Sequence, residues 1–410
     1  MNQSVKLIFL QFLSLGLGLF SVFYIAATIP PKLYAIIGVY EIITSIAIVF
    51  SSTGIETIAL RNILLWKKEK KTDKISEVIT HSLILRLFFM LILLFPIMIY
   101  AYYMSKYKFN NEYLYLFILM SISSVFSALN NSLEIILKSF NKYFLAALIP
   151  FIVNILGRLL ALILFIYYGF EFYINVIMLL PIFITLFVIF KIKKWIIFTG
   201  NIKRKTLLMN FKTAKHFKFS TYVTYIYDRL DQLLISVFFS TELLGSYTIA
   251  KRILSLGITI VKNIFNPMIQ KLINLKNDFV ELERSILKIM KIRNYLLLLI
   301  VFGLPIVYYY TTDLIEIIGL DKYKYLNYFI ISIYLSFFFY VLMKVKFTII
   351  SLFYDSIYYL KLTIFLATIS ALFFASFIVI DVKIVFIYLS FSYFITWLYS
   401  LYIYKKKNIT

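Results

Sequence analysis

The stretch TYIYDRLDQLLIS, Thr224 to Ser236, sets Asp228, Arg229 and Asp231 within four residues of each other in dense apolar sequence. Two carboxylates about one helical turn apart take up protons or a cation as a coupled pair. At the helical period, Thr221, Thr224, Tyr225, Asp228, Asp231, Gln232 and Ser236 fall within about a 140° arc. Val223, Ile226, Leu230, Leu233, Leu234 and Val237 occupy the other side. A charge facing lipid costs several kcal/mol, so such groups face a cavity or one another. The polar stripe is therefore expected to line water or substrate. The next apolar segment has the opposite sign: Lys251, Ser255, Thr259, Lys262 and Asn266 lie within about an 80° arc.

Other charges also lie inside apolar segments. Glu41, Ser45, Ser52 and Glu56 share one stripe, and Asn154 and Arg158 form an i,i+4 pair. Glu41 and Glu56 are second candidates for ion coupling after Asp228 and Asp231. Lys262 and Arg158 are read as the deepest cations. Lys251, Arg252 and Arg86 each have two readings: a functional group in a cavity, or a long side chain snorkelling to the interface. Arg229 is read as a local partner, and Glu134 with Lys138 as a structural i,i+4 pair at a helix end.

The elements that position these groups are membrane spans. The chain has 410 residues and is 62% hydrophobic and 15% charged. Soluble domains are near half apolar and about a quarter charged. The apolar segments run about 18–28 residues, long enough for spanning helices, without the alternation of barrel strands. Twelve spans are predicted, roughly at 5–29, 33–60, 78–103, 112–137, 143–168, 172–193, 219–239, 244–270, 290–311, 325–350, 354–379 and 383–404. Of the 42 Lys and Arg, 30 fall at the N-terminus and on the loops of one side, and only 6 on the other. This bias places both termini in the cytoplasm. The formal net charge of +23 is then topology rather than nucleic-acid binding.

The longest connection, about 194–218, is basic and central. It predicts an all-α polytopic membrane protein of two six-helix lobes related by pseudo-symmetry, residues 1–195 and 218–410, joined by a cytoplasmic linker at 196–217. A short repeat agrees: Ile37-Gly38-Val39-Tyr40 opens the second span and Leu244-Gly245-Ser246-Tyr247 opens the eighth. The N-terminal run MNQSVKLIFLQFLSLGLGLF is read as an uncleaved first helix rather than a secretory signal. Cysteine is absent, which excludes disulfides and thiolate chemistry. His81 and His216 are read in different loops, so no histidine metal site is expected. No nucleotide-binding loop is present, and no cofactor is expected.

The stretch GIETIALRNI, 54–63, closes the second span. The stretch YDRLDQLLISVFFSTELLGSYTIAKRI, 227–253, covers the seventh, a tight external turn and the start of the eighth. With twelve spans, two lobes and a central basic loop, these stretches resemble the Wzx-type polysaccharide (O-antigen) flippases of the multidrug/oligosaccharidyl-lipid/polysaccharide exporter superfamily. The architecture matches over the whole chain; the motifs match mainly in 219–266 and less in 34–63. The resemblance implies a flippase, not an enzyme, of the bacterial inner membrane. It would move an undecaprenyl-pyrophosphate-linked oligosaccharide from the cytoplasmic to the periplasmic leaflet. Its lobes would rock around a central cavity. Implied partners are that lipid-linked oligosaccharide, membrane lipid, a polysaccharide polymerase and a chain-length regulator, with no nucleic acid.

On this resemblance, Lys251, Arg252, Lys262, Arg158 and Asn266 would hold the pyrophosphate and glycan, since Lys and Arg bind phosphate through charge-assisted hydrogen bonds. The family's acid on span 7 beside bases on span 8 falls on Asp228 or Asp231 and on Lys251 or Lys262. Which aspartate titrates stays open. Three rivals fit less well. A polymerase or ligase resembles proteins with a large external loop carrying Arg or His, and every predicted external loop here is short. A drug or cation exporter of the same superfamily would favour acidic and aromatic cavity residues. A peptidoglycan-precursor flippase usually has two further spans.

Overall fold

In a bilayer the backbone finds no water, so a spanning segment must satisfy its own amides, and a helix does so. The computed structural model describes residues 3–52, 63, 66, 69, 71–140, 142–192, 218–219, 222–223, 225, 229–274, 279–353, 361, 364–365, 367–369, 372 and 383–406, and the regular structure among them is helical. The helices are α1 (Gln3–Thr28), α2 (Pro31–Phe50), α3 (Thr72–Tyr103), α4 (Leu114–Ser139), α5 (Tyr143–Phe151), α6 (Gly157–Tyr168), α7 (Phe170–Ile192), α8 (Thr241–Asn274), α9 (Phe279–Ile317), α10 (Leu326–Phe353) and α11 (Lys383–Lys406). Residues 229–238 are also helical. Seven helices among the described residues are long and apolar enough to cross a membrane, and the chain is a multi-pass membrane protein.

The predicted fifth span is helical from end to end but not regular. A π-helical turn, Ile152–Leu156, joins α5 to α6. It follows Pro150, which lacks the N–H that a regular ladder requires. Arg158 is the second residue beyond this wide turn. His81 lies not in a loop but within α3, where it is buried. The end of the second predicted span, most of the eleventh, and the linker residues 196–217 lie outside the described residues.

The chain forms two compact units: Met1–Ile25 with Ile36–Tyr225, and Ala26–Ala35 with Ile226–Thr410. In the first, Ile75, Val78 and Ile79 of α3 pack with Leu133, Ile136 and Leu137 of α4 and Ile184 and Val188 of α7. In the second, Val261 and Phe265 of α8 pack with Ile286 and Ile289 of α9 and Tyr340 and Val341 of α10. The outer faces are apolar as well. Leu91 and Phe95 of α3 and Leu299 and Phe302 of α9 are each 70–74% exposed. Their spacings of four and three residues put each pair on one helix face, as lipid contact requires. Buried hydroxyls return to their own helix: Thr80 donates to the Ser76 carbonyl at 2.8 Å and Ser121 to that of Phe117 at 2.9 Å.

In the second unit the segment Ala26–Ala35 is held through its backbone. Lys322 Nζ donates to the Ala27 carbonyl, and the Tyr323 hydroxyl to that of Ile29 at 3.3 Å. Gly245 of α8 comes close enough that a Cβ there would stand 2.3 Å from the Pro31 carbonyl oxygen. Backbone atoms cannot swing aside as the end of a side chain does. Gly245→Val is therefore expected to unseat this segment, at about 1–3 kcal/mol for overpacking. The readout is the melting temperature of the purified protein, and an unchanged value would refute so tight an approach.

Candidate functional site

Helical residues 229–238 supply Asp231, Gln232 and Ser236 to the second unit. Helix α8 supplies Tyr247 and Lys251, four residues apart and so stacked on one face. Lys251 Nζ donates to both carboxylate oxygens of Asp231 at 2.6 Å. The Tyr247 hydroxyl donates to Asp231 Oδ2, and the Gln232 backbone N–H to Oδ1 at 2.7 Å. The side chain of Asp231 is 2% exposed and that of Lys251 14%. The carboxylate is thus buried and hydrogen-bonded on both oxygens, as a buried charge requires. The ammonium keeps a small open surface. Gln232 extends the network: its side-chain oxygen accepts from Arg229 at 3.1 Å, and its amide nitrogen donates to Thr248. Arg229 is the local partner that its position suggests.

The polar stripe on 229–238 does not line open water. Asp231, Gln232 and Ser236 are all buried. The reason is that α8 carries complementary groups at the matching heights. The stripe on α8 behaves differently below Lys251: Ser255, Thr259 and Lys262 are exposed. The hydroxyls of Ser255 and Thr259 return to carbonyls of their own helix.

Helix α8 runs on to Asn274. Lys251 lies ten residues from its start, ~15 Å along the axis. Lys262 stands eleven residues further along the same helix, three turns on, and is exposed. Close enough to Lys262 to repel it electrostatically is Lys344 of α10. Arg252, one residue from Lys251 and so turned away from it, donates to the Tyr34 hydroxyl at 3.0 Å and stacks over that ring at 5.5 Å. Arg252 thus serves to hold the segment Ala26–Ala35.

Arg158 and Glu41 belong to the first unit. Arg158 Nη1 stands 4.0 Å from where a Cβ on Gly18 would lie, and it acts electrostatically on Tyr40. Glu41 is half-buried. Arg86 does not snorkel. It is fully buried, and donates to Ser132 Oγ at 2.6 Å, the Ile48 carbonyl at 2.9 Å and Asn131 Oδ1 at 3.4 Å. Glu134 and Lys138 form their i,i+4 ion pair. Asp228 and Glu56 lie outside the described residues, as do the side chains of Asn154 and Asn266. Among the described residues no group of three His, Cys, Asp or Glu could hold a metal.

Sequence reasoning missed Tyr247, Tyr34 and Lys344. A signal for Tyr247 did exist, since it closes the repeat Leu244-Gly245-Ser246-Tyr247. Its counterpart Tyr40 likewise makes a hydrogen bond between helices, to Ser123 at 3.0 Å.

The sequence model of the family described as "Polysaccharide biosynthesis protein" matches residues 25–324. No curated protein matches the chain. By fold the chain is similar to the lipid II flippase MurJ in an inward closed conformation, at 17% identity and a TM-score of 0.76, over 98% of this chain and 87% of that one. It is similar to a multidrug resistance MATE family transporter of the MOP superfamily in an inward-facing conformation, at 18% identity and a TM-score of 0.64, over 98% and 96%. A third similar structure is a MOP superfamily transporter from Pyrococcus furiosus, at 15% identity and a TM-score of 0.58, over 98% and 96%. At these identities the likeness is one of fold: an all-α, polytopic architecture.

Proposed function

Because the chain belongs to the polysaccharide biosynthesis protein family, we propose that it is a flippase of the bacterial inner membrane, and not an enzyme. It moves an undecaprenyl-pyrophosphate-linked oligosaccharide, the O-antigen repeat unit, from the cytoplasmic to the periplasmic leaflet by alternating access. Twelve spans in two lobes, with both termini cytoplasmic, complete this reading. A polysaccharide polymerase and a chain-length regulator are its partners on the product side.

The observation that carries the reading is the cationic row on α8. Lys251 stands on α8 with part of its side chain open. Below it run exposed Ser255, Thr259 and Lys262. A pyrophosphate with a glycan attached is anionic at one end and rich in hydroxyls at the other. Lysines interleaved with hydroxyl groups suit both ends. A drug cation would be repelled by the same row.

A second reading is kept for one reason: fold likeness to a lipid II flippase favours a peptidoglycan-precursor lipid. Proteoliposomes separate the two. Fluorescent undecaprenyl-pyrophosphate oligosaccharide is expected to become accessible on the far leaflet, and lipid II is not. The reverse result would replace the first reading with the second. Lys262→Ala is expected to slow transport about tenfold, the loss of one charge-assisted hydrogen bond at about 1.5 kcal/mol, with membrane insertion intact. Full-rate transport would remove Lys262 from the path.

A further inference from the structure

An ammonium held by both oxygens of a carboxylate has little charge left for a substrate. Lys251 is in that state, with Asp231 at 2.6 Å on each oxygen. Three features of the pair nevertheless suit exchange better than permanent pairing. The lysine keeps an open surface, 14% of its side chain against 2% for Asp231, and it heads the exposed row of Ser255, Thr259 and Lys262. The carboxylate has other donors to fall back on. The Tyr247 hydroxyl and the Gln232 N–H stay on it when the ammonium leaves, and Arg229 is one hydrogen bond further along. A buried carboxylate with such donors is tolerated where a bare one is not. Finally, the cation is a lysine. Its ammonium is a flexible point charge with three donors that can be re-aimed, whereas an arginine fork would lock onto the carboxylate.

We propose that Asp231 is the resident counter-anion of Lys251 and that a diphosphate displaces it. Asp231 occupies the lysine when the site is empty. The diphosphate, with more charge than one carboxylate, takes the lysine as it binds. The return of Asp231 then helps to expel it. Asp231 is thus a positioning residue that acts through Lys251, and Tyr247 holds it during the exchange. This rests on the proposed function in one respect, that the substrate carries a diphosphate.

Calorimetry on the full chain in lipid nanodiscs tests it, with undecaprenyl pyrophosphate, inorganic pyrophosphate and uncharged undecaprenol as probes. Asp231→Asn is expected to bind a diphosphate at least about tenfold more tightly than the wild type, a change of about 1.4 kcal/mol, and to transport more slowly because release is slowed. A purely structural ion pair would give weaker binding instead. Lys251→Arg is expected to bind more weakly than the wild type, and undecaprenol to respond to neither substitution. Tightening for both anions assigns the effect to diphosphate as such; tightening for the lipid-linked one alone assigns it to the lipid head group. Equal or weaker binding in Asp231→Asn, with wild-type binding intact, overturns the exchange and leaves the proposed function standing. A wild type that binds no diphosphate overturns both. If Asp231→Asn does not fold, Lys251→Arg decides, and binding equal to or tighter than wild type overturns the exchange.

Discussion

Asp231→Ala is expected to cost about 3–5 kcal/mol of stability, because it strips a buried cation of its partner. Lys251 has only 14% of its side chain exposed, so water can replace little of what Asp231 provides. The Tyr247 hydroxyl and the Gln232 N–H lose their acceptor in the same step. The double substitution Asp231→Leu with Lys251→Met should behave differently. Replacing both members of a buried pair by apolar groups of similar size is often neutral or stabilising. The double variant is therefore expected to recover most of the melting temperature and none of the transport. Thermal unfolding and a flipping assay on the same preparations check this. A loss under about 1 kcal/mol in the single variant would mean that the pair is screened like a surface ion pair.

Arg86→Leu is expected to cost about 3 kcal/mol, from two short hydrogen bonds of a charged donor at about 1.5 kcal/mol each. The guanidinium ties α3 to the Ile48 carbonyl of α2 and to Ser132 of α4, at 2.9 and 2.6 Å. Leucine fills part of the volume and donates nothing, so a buried carbonyl is left short of a donor. Arg86→Lys should fall between wild type and Arg86→Leu, since one ammonium cannot span the same fork of partners. If Arg86→Leu melts within a degree or two of wild type, Arg86 does not tie these helices together.

Both effects concern residues visible in the sequence as intramembrane charges, and in both the sequence left two readings open. Arg86 and Lys251 could be functional or could snorkel. Snorkelling depends on the distance from Cα to the interface and on what covers the side chain. A hydropathy profile defines the first only to several residues and the second not at all. Lys251 and Arg252 are neighbours in sequence, yet one holds Asp231 and the other Tyr34, because adjacent helical residues point about 100° apart.

The sequence by itself determined the class of this protein: helical and polytopic, without the cysteines or nucleotide loops of other chemistries. Lipid leaves a chain with long apolar runs and no strand alternation only the helix to satisfy its backbone. It also determined which polar residues share a helix face, since that follows from the period alone. What covers each face was decided only by tertiary structure. Asp231, Gln232 and Ser236 are buried, Ser255, Thr259 and Lys262 stay open, and Asp231 and Lys251 meet across a separation of twenty residues. Periodicity fixes directions around one axis. The partner lies on another helix, and only packing brings the two axes together.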